Sequence, residues 1–166
     1  MDTVRQHEGE NAGPGAAETK PNASVQVVCP HCQTKNRVPR SRLSGDARCG
    51  ACKEVLLPGR PFELTRANFE RYLAGSELPL VVDFWAPWCG PCRAMAPAYK
   101  EAAARLSPGV LLAKLDTEAE PELAARFGIR AIPTLIAFNQ GQEVARRSGA
   151  SDASGLVQWI NSHVDA

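Results

Sequence analysis

The sequence predicts an α/β protein, an open mixed β-sheet with helices on both faces, led by a small cysteine-bearing module and an N-terminal tail. Three observations predict it. Strand-like and helix-like stretches alternate from Phe62 onward. Within them Leu78–Ala86 is a continuous β-prone apolar run of the kind buried on both faces. All six cysteines fall into C-x-x-C pairs, Cys29/Cys32, Cys49/Cys52 and Cys89/Cys92.

Taken in order, residues 1–24 are rich in Gly, Ala, Pro, Glu and Asn and hold Val4 as the one large aliphatic residue besides Met1. Such a stretch cannot bury enough to offset its ordering entropy and is expected to be a disordered tail. Residues 25–57 carry four cysteines among short apolar residues, too few for a self-sufficient core. Pro58, Gly59 and Pro61 mark a linker, 58–61, and residues 62–166 form the main domain. There Phe62–Leu64 reads as a short strand, followed by a helix with Phe69, Tyr72 and Leu73 on one face. After the Leu78–Ala86 strand, a helix is expected from Pro91 to Leu106, kinked by Pro97. Val110–Asp116 is a strand, and Pro121–Phe127 a helix with Pro at its start and Gly128 beyond its end. Thr134–Phe138 and Val144–Arg147 flank an Asn139–Gln140–Gly141 turn as a hairpin, and a last helix spans Ala153 to Val164. No internal repeat stands out, because the three C-x-x-C pairs sit in unlike surroundings.

Composition narrows the function. Apolar content of 44% and charged content of 22% are those of a globular protein, and a net charge of +1 creates no field that would recruit nucleic acid or membrane. Residues 25–57 are locally basic, with six Lys/Arg against Asp46 and Glu54. The N-terminus shows no apolar segment of the secretory type and no stretch is apolar enough to span a bilayer, so the expected location is the cytoplasm. In that reducing compartment cysteines are expected to bind metal or to react rather than to staple the fold.

Trp88-Cys89-Gly90-Pro91-Cys92 follows the buried strand and opens a helix. A thiol there faces free backbone N–H groups and the positive end of the helix dipole, which stabilise the thiolate that attacks disulfides. Cys92 lies one turn later on the same face, placed to resolve a mixed disulfide formed at Cys89. Gly90 and Pro91 are expected to hold the turn tight and leave Cys89 exposed. Asp83 is the odd residue of its strand, on the face of Val81 and Trp85. Burial would raise its pKa toward the working pH, which suits a proton acceptor for Cys92; the alternative is a satisfied structural carboxylate.

VVDFWAPWCGPC at 81–92 resembles the active-site segment of the thioredoxin family, and the likeness extends over 62–166. The resemblance implies a thioredoxin fold and a protein-disulfide reductase with a redox-active dithiol, an electron carrier of cell redox homeostasis. It implies Cys89 as nucleophile, Cys92 as resolving thiol, and Lys114 as the lysine that accompanies Asp83. Ile132-Pro133-Thr134 matches the family's cis-proline loop. Trp88, Gly90, Pro91, Ile132, Pro133 and Gly149 would then form the substrate rim. The implied partners are disulfide-containing client proteins and an NADPH-dependent thioredoxin reductase; a monomer is expected, with no organic cofactor in this chain.

Cys29-Pro-His-Cys32, sixteen residues, then Cys49-Gly-Ala-Cys52 falls within the spacing of four-thiolate zinc sites. Four thiolates close the shell of one structural Zn²⁺ and leave no open position for catalysis. A ribbon ahead of such a domain resembles the type-two bacterial thioredoxins, and the likeness then covers 25–166. Two other readings stand beside the reductase. The ribbon could be a binding module that uses Lys35, Arg37, Arg40, Arg42, Arg48 and Lys53, or a redox-sensing zinc switch.

Overall fold

The computed structural model describes residues 23–164. Strands β1 (Ser24–Val28) and β2 (Lys35–Pro39) form an antiparallel hairpin. Then follow β3 (Phe62–Glu63), α1 (Phe69–Gly75), β4 (Leu80–Trp85), α2 (Gly90–Leu106), β5 (Leu111–Asp116), α3 (Pro121–Arg126), β6 (Thr134–Asn139), β7 (Gln142–Ser148) and α4 (Ala153–His163). The five strands from β3 to β7 make one sheet in the order β3-β5-β4-β6-β7, with the β3/β5 and β4/β5 pairs parallel and the last two pairs antiparallel.

β4 lies in the centre of this sheet, which explains why it is apolar apart from Asp83: each of Leu80–Phe84 is buried. Alternation along it sorts the core. Leu80, Val82 and Phe84 face α1 and α3, while Val81 packs with Met95 and Tyr99 of α2 and with Leu156 and Ile160 of α4. α2 runs as one helix through Pro97. The β6–β7 connection is the two-residue turn Gln140–Gly141, both at positive φ (49° and 80°), the geometry that matches the twist of a hairpin.

The ribbon is not a bead on a string. Val25, Val27, Val28, Cys29, Leu56 and Leu57 share a core with Phe69, Tyr72 and Phe84, so the thirty-odd residues that cannot bury themselves borrow the domain's apolar face. Hydrogen bonds fix the docking. Tyr72 Oη donates to the Cys29 carbonyl at 2.6 Å, Gln26 Nε2 donates to the Gly75 carbonyl at 2.6 Å, and the Glu77 N–H donates to the Gln26 carbonyl at 3.0 Å. Gly75 is needed for this approach, because a Cβ there would stand 2.9 Å from Val28 Cγ2.

Two expectations change. The expected tail, 1–24, lies outside the described residues as far as residue 22, but Ser24 already belongs to β1, paired with Pro39. The ribbon's two cysteine pairs also turn out alike in backbone. Gln33 N–H donates to Cys29 O and Lys53 N–H to Cys49 O, each at 3.0 Å, with Gln33 and Lys53 both at positive φ (63° and 67°). The likeness escaped notice because it is carried by main chain, while the inner residues differ (Pro-His against Gly-Ala). Ser107–Pro108 is a second cis peptide, one that the sequence reading did not anticipate.

Removing the Tyr72 hydroxyl takes away one of the two hydrogen bonds to the buried Cys29 carbonyl and leaves that from the Gln33 N–H. Tyr72→Phe is expected to lower unfolding stability by about 1 kcal/mol in a urea titration with zinc retained, while disulfide reduction is unchanged.

Candidate active site and metal centre

β4 ends at Trp85 and α2 begins at Gly90, so the intervening loop delivers Cys89 to the helix N-cap. The Cys92 N–H donates to Cys89 Sγ at 3.2 Å. The two sulfurs are joined as a disulfide, with Cα atoms 5.3 Å apart, so the molecule is in its oxidised form. On reduction the same N–H would stabilise a Cys89 thiolate. Cys92, 2% exposed, heads the inward stripe of α2 that continues through Met95 and Tyr99.

Cys89 is not open to solvent as expected. It is only 4% exposed, packed with Ala86, Cys92, Trp85 and Ile132. The open group beside it is Trp88, 67% exposed, flanked by exposed Gly90 and Pro91. The Ile132–Pro133 bond is cis, and Cys89 Sγ lies 3.8 Å from the Ile132 carbonyl oxygen. Gly149 (φ 98°) closes this loop from β7, its N–H donating to the Pro133 carbonyl at 2.9 Å. The rim residues named from sequence are therefore brought together around the dithiol, with Gly149 reached through Pro133.

Asp83 is 1% exposed, and among the described residues neither of its carboxyl oxygens has a hydrogen-bond partner. Burial disfavours the charged form of the carboxyl and pushes Asp83 from 3.8 up to about 7, against the pull of Lys114. Lys114 is its register partner on β5, and its ammonium stands 4.2 Å over the Trp85 ring. Glu63, which the sequence reading passed over, pairs with Lys114 from the other side; no motif marks it, and only strand register reveals it.

The four ribbon sulfurs lie within 4.8 Å of one another, with Cys29–Cys52 and Cys32–Cys49 Sγ pairs at 3.6 Å. Sulfurs about 2.3 Å from a tetrahedral ion stand roughly 3.8 Å apart, so the set fits Zn²⁺. Backbone N–H groups of His31 and Ala51 donate to Cys29 and Cys49 Sγ at 3.4 Å, and Asn36 Nδ2 donates to Cys49 Sγ at 3.5 Å, bonds suited to thiolates. His31 contributes only main chain to this cluster. All six Lys/Arg of the ribbon are exposed; Lys53 Nζ donates to the Gly50 carbonyl and Arg48 to the Lys53 carbonyl.

A disulfide at the N-cap of the helix that follows a strand with a buried carboxyl, beside a cis-proline loop and an exposed tryptophan, defines a dithiol–disulfide oxidoreductase. Comparison with known proteins narrows the class. Residues 60–162 match the family model described as Thioredoxin, and residues 28–54 match the zinc-ribbon model described as Thioredoxin 2, N-terminal. Thioredoxin C-3 of Corynebacterium nephridii is 46% identical over 138 residues, covering 83% of this chain and 94% of that protein. Thioredoxin 1 of Synechococcus elongatus is 42% identical over 101 residues, 61% of this chain and 94% of its own length. Thioredoxin of Haemophilus influenzae is 40% identical over 98 residues, 59% and 92%. The chain belongs to the thioredoxin family and is a thioredoxin-type disulfide oxidoreductase with an N-terminal zinc-ribbon module. No described helix is long and apolar enough to cross a membrane.

An unfolded aspartate titrates near 3.9, whereas folded Asp83 titrates at about 7. Between those values the folded chain keeps a proton that the unfolded chain has released. Its contribution is full below about pH 4 and is lost as pH rises to about 7, a difference of about 4 kcal/mol from this group. Urea unfolding of the oxidised protein across that range should show the decline, and Asp83→Asn should flatten it and be the more stable protein at about pH 8.

Proposed function

We propose that the chain reduces protein disulfides through Cys89 and Cys92, with Asp83 as the proton acceptor for the second thiol. The supporting observations are the Cys92 N–H bonded to Cys89 Sγ at the first turn of α2 and the buried carboxyl of Asp83 on β4, the strand that leads into that helix. In the reduced form the Cys89 thiolate attacks one sulfur of a client disulfide. The client S–S bond breaks, its other sulfur leaves as a thiolate and takes up a proton, and a Cys89–client disulfide forms. Asp83 then takes the Cys92 proton and Cys92 attacks Cys89 Sγ. The client leaves with two electrons and two protons, and the Cys89–Cys92 bond is restored.

Client backbone would pair along Ile132 at the cis-Pro133 loop, as an added strand does, with Trp88, Gly90, Pro91 and Gly149 as the apolar rim. Lys114 holds charge opposite Asp83. Re-reduction falls to an NADPH-dependent thioredoxin reductase, and the working form is a cytoplasmic monomer. The unit boundaries are 58–61 for the linker and 62–166 for the catalytic domain, with the ribbon starting at Ser24 rather than at residue 25 and ending at 57. Cys29, Cys32, Cys49 and Cys52 hold a single Zn²⁺, which supplies folding free energy to the ribbon and leaves no coordination site for client chemistry.

Cys89→Ser is expected to abolish insulin reduction, and Cys92→Ser to accumulate mixed disulfides with clients on non-reducing gels; insulin reduction surviving Cys89→Ser would reject the mechanism. Metal analysis of the purified chain is expected to return one zinc per molecule. Cys49→Ser should lose most of that zinc, and two equivalents or none in the parent protein would overturn the single-ion site.

A further inference from the structure

Three adjacent strands carry a row of charge across the sheet. Glu63 of β3 pairs in register with Lys114 of β5, and Lys114 pairs with Asp83 of β4. Directly opposed residues on neighbouring strands point to the same face. The lysine therefore stands between two carboxyls whose backbones are two strand spacings, roughly 10 Å, apart. The row is graded in burial: Asp83 is in the core, Lys114 is half-buried and Glu63 is exposed at the sheet edge. No hydrogen bond or ion pair fixes Glu63 or Lys114 to any other side chain among the described residues; the ammonium rests over the Trp85 ring, 4.2 Å from its centroid, and commits to neither acid.

We propose that Glu63 is a charge-tuning residue of the disulfide reaction, competing with Asp83 for Lys114 and so keeping Asp83 basic enough to take the Cys92 proton. It acts through Lys114 and touches no reacting atom. The proposal deepens the reading of Asp83 as proton acceptor and rests on it. The proton passes from the Cys92 thiol to Asp83, the Cys92–Cys89 bond forms and the Cys89–client bond breaks; Glu63 changes only how strongly Asp83 holds that proton.

The electrostatics agree in direction. Burial raises Asp83, Lys114 lowers it and Glu63 raises it again. Glu63 is itself raised by burial, with Lys114 opposing and Asp116 adding to the rise. The other elements packed around Asp83 offer little competing charge. From α2 comes the Tyr99 hydroxyl, kept neutral by full burial and bonded to the Val81 and Ala113 carbonyls. β6 presents Leu135, with Arg147 of β7 beyond it, and α4 presents Leu156 and Ile160. Asp116 lies further along β5, level with Trp85.

The test measures the rate of disulfide reduction against pH for the full chain and for Glu63→Gln, Glu63→Asp, Asp83→Asn and the Glu63→Gln/Asp83→Asn double variant. Glu63→Gln should move the acid limb of the profile about half a pH unit lower at low salt, and less at about 1 M salt, because an exposed charge is screened. Glu63→Asp should keep the parent profile, and in the Asp83→Asn background Glu63→Gln should add nothing. A parent-like profile in Glu63→Gln beside an altered one in Asp83→Asn would overturn the role of Glu63 alone. The same half-unit shift persisting without Asp83 would overturn it too. An unaltered profile in Asp83→Asn would instead remove the proton-acceptor reading, and this inference with it.

Discussion

The Cys92 N–H reaches Cys89 Sγ because the central strand β4 delivers the chain to the first turn of α2 at that residue, and the rest of the active end is built around this junction. A helix N-terminus carries N–H groups with no intrahelical partner, and here one of them is satisfied by a sulfur. The junction can hold still because both elements are anchored elsewhere. β4 is hydrogen-bonded on both edges, and Tyr99, ten residues into the helix chain from Cys89, bonds to the Val81 and Ala113 carbonyls at 3.1 and 2.7 Å. That single hydroxyl bridges two neighbouring strands and pins α2 to the sheet from the same face that bears Asp83.

Such rigidity is accompanied by a deliberate defect. A leucine or valine at position 83 would suit the core better than a carboxyl with two unbonded oxygens. The defect costs stability where the group is charged, and it sets on the strand leading to the dithiol a carboxyl that exchanges protons near neutral pH. Lys114 limits the cost without removing it. Its ammonium lies over the Trp85 ring, held there by the aromatic face rather than by an ion pair with Asp83. A close ion pair would have held Asp83 charged through the physiological range and left it a poor acceptor.

What could be read from the chain depended on whether the information was local. The dithiol, the zinc knuckles and the strand face of Asp83 are set by spacings of two to four residues, and alternation alone separated Val81, Asp83 and Trp85 from Val82 and Phe84. The family likeness carried the cis-Pro133 loop, which no spacing identifies. The union of ribbon and domain was not legible, because it rests on pairs such as Cys29 with Tyr72 and Gln26 with Gly75, 43 and 49 residues apart, with no signature in either segment. The low exposure of Cys89 was missed for a similar reason. Ile132, which covers it, arrives from a loop 43 residues downstream. Glu63 looked like an ordinary surface acid until the parallel register set it beside Lys114.

The same register shows how one sheet keeps two sulfur sites apart. The ribbon's buried cysteines belong to the core on the α1 and α3 face, with Phe84 and Leu115, whereas Cys89 and Cys92 pack as a separate group with Ala86 beside Trp85. Between them stands β4, whose side chains alternate from one face to the other. A thiolate set with all four valences turned toward a metal is a poor nucleophile, and a dithiol tied to its own helix N-terminus is a poor ligand set for a tetrahedral ion. Six cysteines can therefore coexist in one small chain without exchanging partners, because two backbone geometries divide them. Paired knuckles gather four thiolates around a point, and a helix start turns the remaining two toward each other.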